Sequence, residues 1–317
     1  TQAQVDVASG TTPFTAGFRK AIKITNGNQT SGAGAGDRII INYFIEAQDI
    51  ANSGWNYTDP NSFITLSFYV KSSVAQTFYV RLESKDGTRS SYPLSTGSLS
   101  ADTWTKVTHS VPGHGSLLQF DNDSAAGLQI EFTLYRGTNN TSNSVTLNAW
   151  GAYDSAARIP DVTTTWFTTN DATFEMTGVQ LEVGPTATDF EHRSFTQELR
   201  LCQRYFYMHA SGTFDLSNTD RCPIGLGYGY TSTSGFVFIT FPTQMRTDPS
   251  LFKEVGTDYF NFAYNNNNGY PNDISINRVS SQVCELSFHT GSSWDQNAAG
   301  MLRTFNTAAK VGFSAEY

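Results

Sequence analysis

The sequence predicts an all-β protein: a jelly-roll β-sandwich, a short linking helix, and a second, smaller β-rich domain. Three observations carry this expectation. Apolar and polar residues alternate with period two in one short run after another, the pattern of half-buried strands. Turn-forming residues separate the runs, with 26 Gly and 10 Pro in 317 residues. No helical pattern of ~10–15 residues falls between them before residue 194, which favours antiparallel sandwiches over βαβ units.

Taken in order, Gly32-Ala33-Gly34-Ala35-Gly36 reads as a surface loop. A phosphate cradle would need a lysine and a helix after it, and Asp37-Arg38-Ile39 opens a strand instead. That strand places Ile39, Ile41, Tyr43 and Ile45 on one parity. Ile64, Leu66, Phe68 and Val70 do the same, followed by Phe78, Val80 and Leu82. If Ser72–Gln76 is a hairpin loop, Phe68 faces Val80 and Leu66 faces Leu82. The opposite face then sets Tyr69 across from Tyr79, with Arg81 and Glu83 farther along. Leu128, Ile130, Phe132 and Leu134 form another apolar parity, with Glu131 and Tyr135 pointing outward. In Thr173–Gly184, Gly178 stands where the apolar parity changes, so a bulge is expected there.

Ser194–Phe206 is the expected helix. Ser194 is its N-cap candidate and Glu198 lies in its first turns. Phe195, Leu199, Cys202 and Phe206 make one apolar stripe. The predicted organisation is therefore a jelly-roll over 1–193, a linking helix over 194–207 and a β-rich tip over 208–317. In the tip, Ile224–Tyr230 alternates large residues with Gly225, Gly227 and Gly229, leaving one face bare for close approach of another backbone or subunit. Phe236–Phe241 is apolar on both parities and needs cover from a second layer or another chain. Asn265–Asn268 with Gly269 reads as a solvated loop tip.

Composition limits the function classes. The formal net charge is −8, so the diffuse attraction that drives phosphate-backbone binding is missing and nucleic acid is not expected as a partner. No apolar run approaches the ~18 residues of a membrane helix, so membrane insertion is not expected. Cys202, Cys222 and Cys284 lack zinc-ligand spacing. A Cys202–Cys222 or Cys222–Cys284 disulfide would leave one thiol over; the expectation is three buried thiols in a protein folded in reducing cytosol.

The stretches Thr177-Gly178-Val179-Gln180-Leu181-Glu182-Val183-Gly184, Phe190-Glu191-His192-Arg193-Ser194 and Cys202-Gln203-Arg204-Tyr205 resemble a signature in structural proteins of tailed bacteriophages. Those proteins are usually assigned as tail-fibre or receptor-binding components and are commonly homotrimers. The first region, with Ile64–Ser73, Thr103-Trp104-Thr105 and Gly127-Leu128, is similar to the jelly-roll carbohydrate-binding modules of polysaccharide hydrolases. The resemblance implies a virion fibre protein, homotrimeric and in contact with other virion proteins, that attaches to a host cell-surface glycan. The alternatives are a glycan-binding accessory module of a secreted hydrolase and a purely structural capsid or virion fibre component. Such jelly rolls often hold a structural calcium through an Asp in the last core strand. Met176-Thr177-Gly178-Val179 has no carboxylate there, and neither metal nor cofactor is expected.

For glycan contact the candidates are Tyr69, Tyr79, Arg81, Glu83, Tyr135 and, as a loop rim, Trp55. Aromatic faces suit C–H-rich sugar surfaces, while Arg and carboxylate groups suit hydroxyls. The competing reading is that these aromatics pack an interface or pair across strands. Glu83 and Glu131 are the only candidate carboxylate pair for glycoside hydrolysis, and exposed strand carboxylates are commonplace. Enzymatic activity is not expected.

Overall fold

A computed structural model of the chain describes residues 1–29, 31–212, 221–290 and 294–317. It divides into two units, Thr1–Glu191 and His192–Tyr317.

The first unit is a β-sandwich. One sheet has the order β1 (Gln2–Asp6), β2 (Lys20–Thr25), β10 (Thr173–Val183), β4 (Phe63–Ser72), β7 (Thr105–Pro112). The other has the order β3 (Arg38–Glu46), β8 (Ala126–Arg136), β5 (Thr77–Ser84), β6 (Ser90–Ser98), β9 (Gly151–Ala152). Every pairing is antiparallel. The chain passes repeatedly from one sheet to the other, as a jelly roll does. The alternating apolar residues form the core: Leu66, Phe68, Val70, Val80, Leu82, Leu128, Leu134 and the helical-turn residue Trp166 are all buried. Across the core Phe68 meets Phe132 at 5.1 Å and Phe78 meets Phe174 at 5.0 Å.

The expected Ile64–Glu83 hairpin is not formed. β4 pairs with β10 and β7, whereas β5 pairs with β8 and β6. The Ser73–Gln76 connection is an arch between sheets, fixed by buried Gln76, whose Oε1 accepts from the Trp166 N–H at 2.9 Å. Period-two alternation dictates which side chains face inward, but a hairpin and an arch satisfy it equally. Gly178 does mark a bulge. The β10–β4 register shifts between Thr177 and Gln180, and Gly178 has φ +63°. A Cβ there would stand 2.5 Å from the Phe18 ring, so only glycine fits.

The second unit holds a seven-stranded sheet, in the order β16 (Asn267–Gly269), β15 (Phe260–Tyr264), β19 (Ala299–Thr304), β12 (Pro223–Gly229), β13 (Ser234–Thr240), β18 (Val283–His289), β17 (Asp273–Val279). A three-stranded sheet has the order β11 (Phe206–Ser211), β20 (Lys310–Ser314), β14 (Ser250–Glu254). Their shared core includes Phe241 and Phe313, 4.8 Å apart. The glycine stripe turns out to serve this core. Gly227 pairs with Val237 and Gly225 with Leu302, both fully buried. A methyl at Gly227 would overlap the Phe236 carbonyl oxygen, and one at Gly300 would come 2.6 Å from the Phe262 ring. The bare face thus accommodates a strand and large rings of the same chain. On β13, Val237 and Ile239 are covered, while the other parity leaves Phe238 exposed beside Leu226 and Tyr228.

The helix spans Phe195–Gln203, with a capping box in which Ser194 and Gln197 satisfy each other's backbone N–H groups. Arg193 reaches Glu198 at 3.4 Å. The expected stripe is not covered: Phe195 is 80% exposed and Leu199 is also exposed, while Phe206 belongs to β11.

Candidate functional site

The outward face of β5 and β8 was the sequence's candidate surface, and the structure does bring Arg81, Glu83 and Glu131 together there. Arg81 lies opposite Glu131, and Glu83 opposite Gln129. Instead of meeting solvent, they form a buried ion network. Arg81 pairs with Glu83 and, at 3.0 Å, with Glu131; Arg136 reaches Glu131 at 2.7 Å. Lys85 and Arg89 close on Glu83 from the rim. Tyr153 caps the network, with the Arg89 guanidinium 3.9 Å from its ring centre and those of Arg158 and Arg81 at 5.4 and 5.6 Å.

This electrostatic setting decides what the two carboxylates can do. Burial acts to raise the Glu83 pKa, but Arg81 and the hydrogen bonds from Lys85 and Arg89 outweigh it and hold the group at about 2. Burial likewise opposes ionisation of Glu131, and Arg81 and Arg136 again win, leaving its pKa lowered. A glycosidase needs one carboxyl kept protonated beside one ionised. Here both are held ionised by a shared arginine, so the pair supplies no general acid.

The remaining candidates do not assemble into one face. Tyr69 and Tyr79 lie in different sheets: Tyr69 is opposite Thr177 and Lys106, and Tyr79 is opposite Thr133 and Ser95. Tyr69 packs against Phe18 at 5.8 Å, and Phe18 against Phe190 at 4.8 Å. Tyr79 is half-buried, its pKa raised by burial and by Asp161. Trp55 is core rather than rim, 3% exposed, its indole N–H donating to the Ser62 carbonyl. Tyr135 is also buried, stacked on Phe167 at 4.1 Å. An extra residue in β8, Leu134, between the Tyr135–Ile39 and Thr133–Ile40 pairs breaks the parity that would have turned it outward.

An open polar surface exists in the second unit, at the Asn run that the sequence presents as a solvated loop tip. Asn265 and Asn266, with φ +40° and +59°, turn β15 into β16. The resulting groove of 340 Å³ is lined by Ala263–Asn268 and Arg303. Pairing of β15 with β19 sets Arg303 opposite Asn261, which is fully buried. Arg303 Nε donates to Asn261 Oδ1 at 2.6 Å, and Asn261 Nδ2 donates to Asn268 Oδ1 at 3.1 Å. The guanidinium is thus held by a buried amide while facing the groove. Nearby, exposed Tyr270 meets Phe305 at 5.1 Å, and Arg221 lies 4.8 Å over the Phe305 ring. Arg303 is not associated with the Asn run in the sequence because only strand pairing unites them, whereas Tyr270 follows the run directly and its ring contact with Phe305 is what the sequence does not announce. Among the described residues no three His, Cys, Asp or Glu side chains converge as metal ligands. In the Asp121-Asn122-Asp123 stretch, Asp123 accepts the Ala125 N–H at 2.9 Å.

No protein-family model matches the chain, and no curated protein matches it. Among solved structures, the N-terminal CBM22-1–CBM22-2 tandem domain of Xyn10C from Paenibacillus barcinonensis is similar at 10% identity, with a TM-score of 0.28, over 100% of this chain and 91% of that one. At that score the likeness carries no argument for fold or function; the β-sandwich assignment stands on the strand pairing itself.

Proposed function

We propose that the chain is a non-catalytic attachment component of a virion fibre, and that it recognises a host-surface polysaccharide through the groove between Asn268 and Arg303. The observation that carries this reading is the convergence, on one open surface, of four Asn side chains, a positioned guanidinium and an exposed tyrosine on a phenylalanine. Amides and guanidinium groups exchange hydrogen bonds with hydroxyls, and ring faces pack against sugar C–H surfaces. The phage-like TGVQLEVG, FEHRS and CQRY stretches support the virion setting. The first unit's Arg81 network supports a structural role for that face, because its buried charges, Arg81 and Arg136 against Glu83 and Glu131, are already matched by one another. Homotrimeric assembly is part of the proposal, supported by the open apolar parity of β12 and β13. A glycan array probed with the whole chain tests the reading. Binding of a polysaccharide class should weaken about tenfold in Tyr270→Ala, the ~1–2 kcal/mol of one stacked ring. A chain that binds no glycan on the array would leave a purely structural fibre role.

A further inference from the structure

Arg303 lines the groove and Arg221 lies close to it, and no carboxylate among the described residues neutralises either guanidinium. This contrasts with Arg81 and Arg136, each of which meets a carboxylate within 3.0 Å. The two free arginines are also neighbours. Pro223 pairs with Arg303, and the Cys222 N–H bonds to Thr304, so Arg221 arrives beside Phe305. Besides burial, the largest influence lowering the Arg303 pKa is the positive charge of Arg221. A pair of like charges brought together without a counter-ion is costly for the chain alone and is relieved by an anion. Arg303 is in addition oriented: Nε is committed to buried Asn261, and Nη2 leans toward Asn268 Oδ1 at 3.5 Å, while Nη1 has no partner among the described residues. A guanidinium held in that way presents a planar fork, the geometry that matches a carboxylate or an ester sulfate.

From this juxtaposition we infer that the groove selects an acidic polysaccharide, with Arg303 and Arg221 taking its anionic group and Tyr270–Phe305 taking the adjoining sugar ring. The inference rests on the glycan reading above and adds the charge of the ligand.

The test uses the whole chain and three probes in calorimetric titration: hexagalacturonate, its fully methyl-esterified form, and a sulfated galactan hexasaccharide. One acidic probe should bind at least tenfold more tightly than the ester, with the preference fading as salt rises. Which acidic probe binds better identifies the anionic group. Arg221→Gln should remove most of that preference while the melting temperature stays at the wild-type value, and Arg303→Gln should remove it with a lowered melting temperature, because buried Asn261 loses its donor. Arg303→Lys should recover only part of it, since a point charge replaces the fork. Equal binding of the ester and the acidic probes would overturn the charge inference and leave the glycan reading standing. Acidic binding that survives in the Arg303→Gln/Arg221→Gln double variant would also overturn it, placing the contact elsewhere. Failure of all three probes, with no hit on the array, would remove both readings.

Discussion

At the scale of single residues, the Arg81 cluster shows how a surface pattern can conceal a buried one. Its members sit on the outward parity the sequence indicates, yet Glu131 has its two oxygens shared between two arginines and Thr133. Removing one partner leaves charge without compensation in a dry place, so Glu131→Gln should cost about 3–5 kcal/mol, measured by denaturant unfolding. Parity was legible because alternation is local. Burial was not, because Tyr153 and Arg158 come from an irregular stretch with no period to announce what it covers. Trp55 misled in the opposite sense: its polar neighbours suggest a surface loop, while the ring itself turns inward onto Phe120. The cysteines divide similarly. Cys202 is exposed, contrary to the expectation of three buried thiols, whereas Cys284 is buried and its thiol is pushed up to about 12 by burial and by Glu285. Alkylation with mass-spectrometric mapping should label Cys202 in the native protein and Cys284 only after unfolding.

At the scale of elements, two bulges make an instructive pair. The one in β10 is announced by Gly178, whose positive φ and contact with Phe18 exclude a side chain. Gly178→Ala should therefore lose about 2 kcal/mol, read as a lowered unfolding midpoint. The one in β8 at Leu134 has no glycine to announce it, and its effect on parity is visible only in the register. Strand identity and inward faces are set by composition within a few residues, so they are readable at Ile64–Val70 and Phe78–Leu82 and fail where a bulge intervenes, as at Tyr135. Strand partners depend on contacts across the whole chain, which is why alternation alone predicts a hairpin over Ser72–Gln76 where the structure has an arch, and does not associate Arg303 with Asn268.

At the scale of the molecule, acid should be the sensitive variable. Glu83 lies at about 2 in the folded chain against an ordinary value of 4.5. Its contribution is fully present above pH ~4.5 and is lost as pH falls toward 2, on the order of 3 kcal/mol in all. His109 and His209 act in the same direction, since burial lowers both pKa values and the neutral ring of His209 donates to the Ile224 carbonyl at 2.6 Å. Both histidines stabilise the fold while neutral, and that stability is lost as pH falls below their ordinary 6.5 through their lowered folded values. Thermal melts should accordingly fall steadily from pH 7 to pH 3, and Glu83→Gln should flatten the lower part of that slope. Assembly is testable at this scale too. Sedimentation should report a trimer for the native chain, and Leu226→Lys with Phe238→Lys should yield a folded monomer; a wild-type monomer at micromolar concentration would dismiss the assembly proposal.

The glycines that line the core side of the seven-stranded sheet have a consequence for how this unit can change over generations. Gly235 sits where any side chain would strike the Phe288 ring, and Gly269 and Gly229 where one would strike Trp294. Small and large are therefore matched position by position, and neither member of such a couple can drift unless the other shifts with it. The exposed turn residues Asn265 and Asn266 have no such counterpart to satisfy. Descendants of this chain should vary freely at the tip and stay fixed underneath it, so that new ligands can be tried on an interior that does not have to be reinvented.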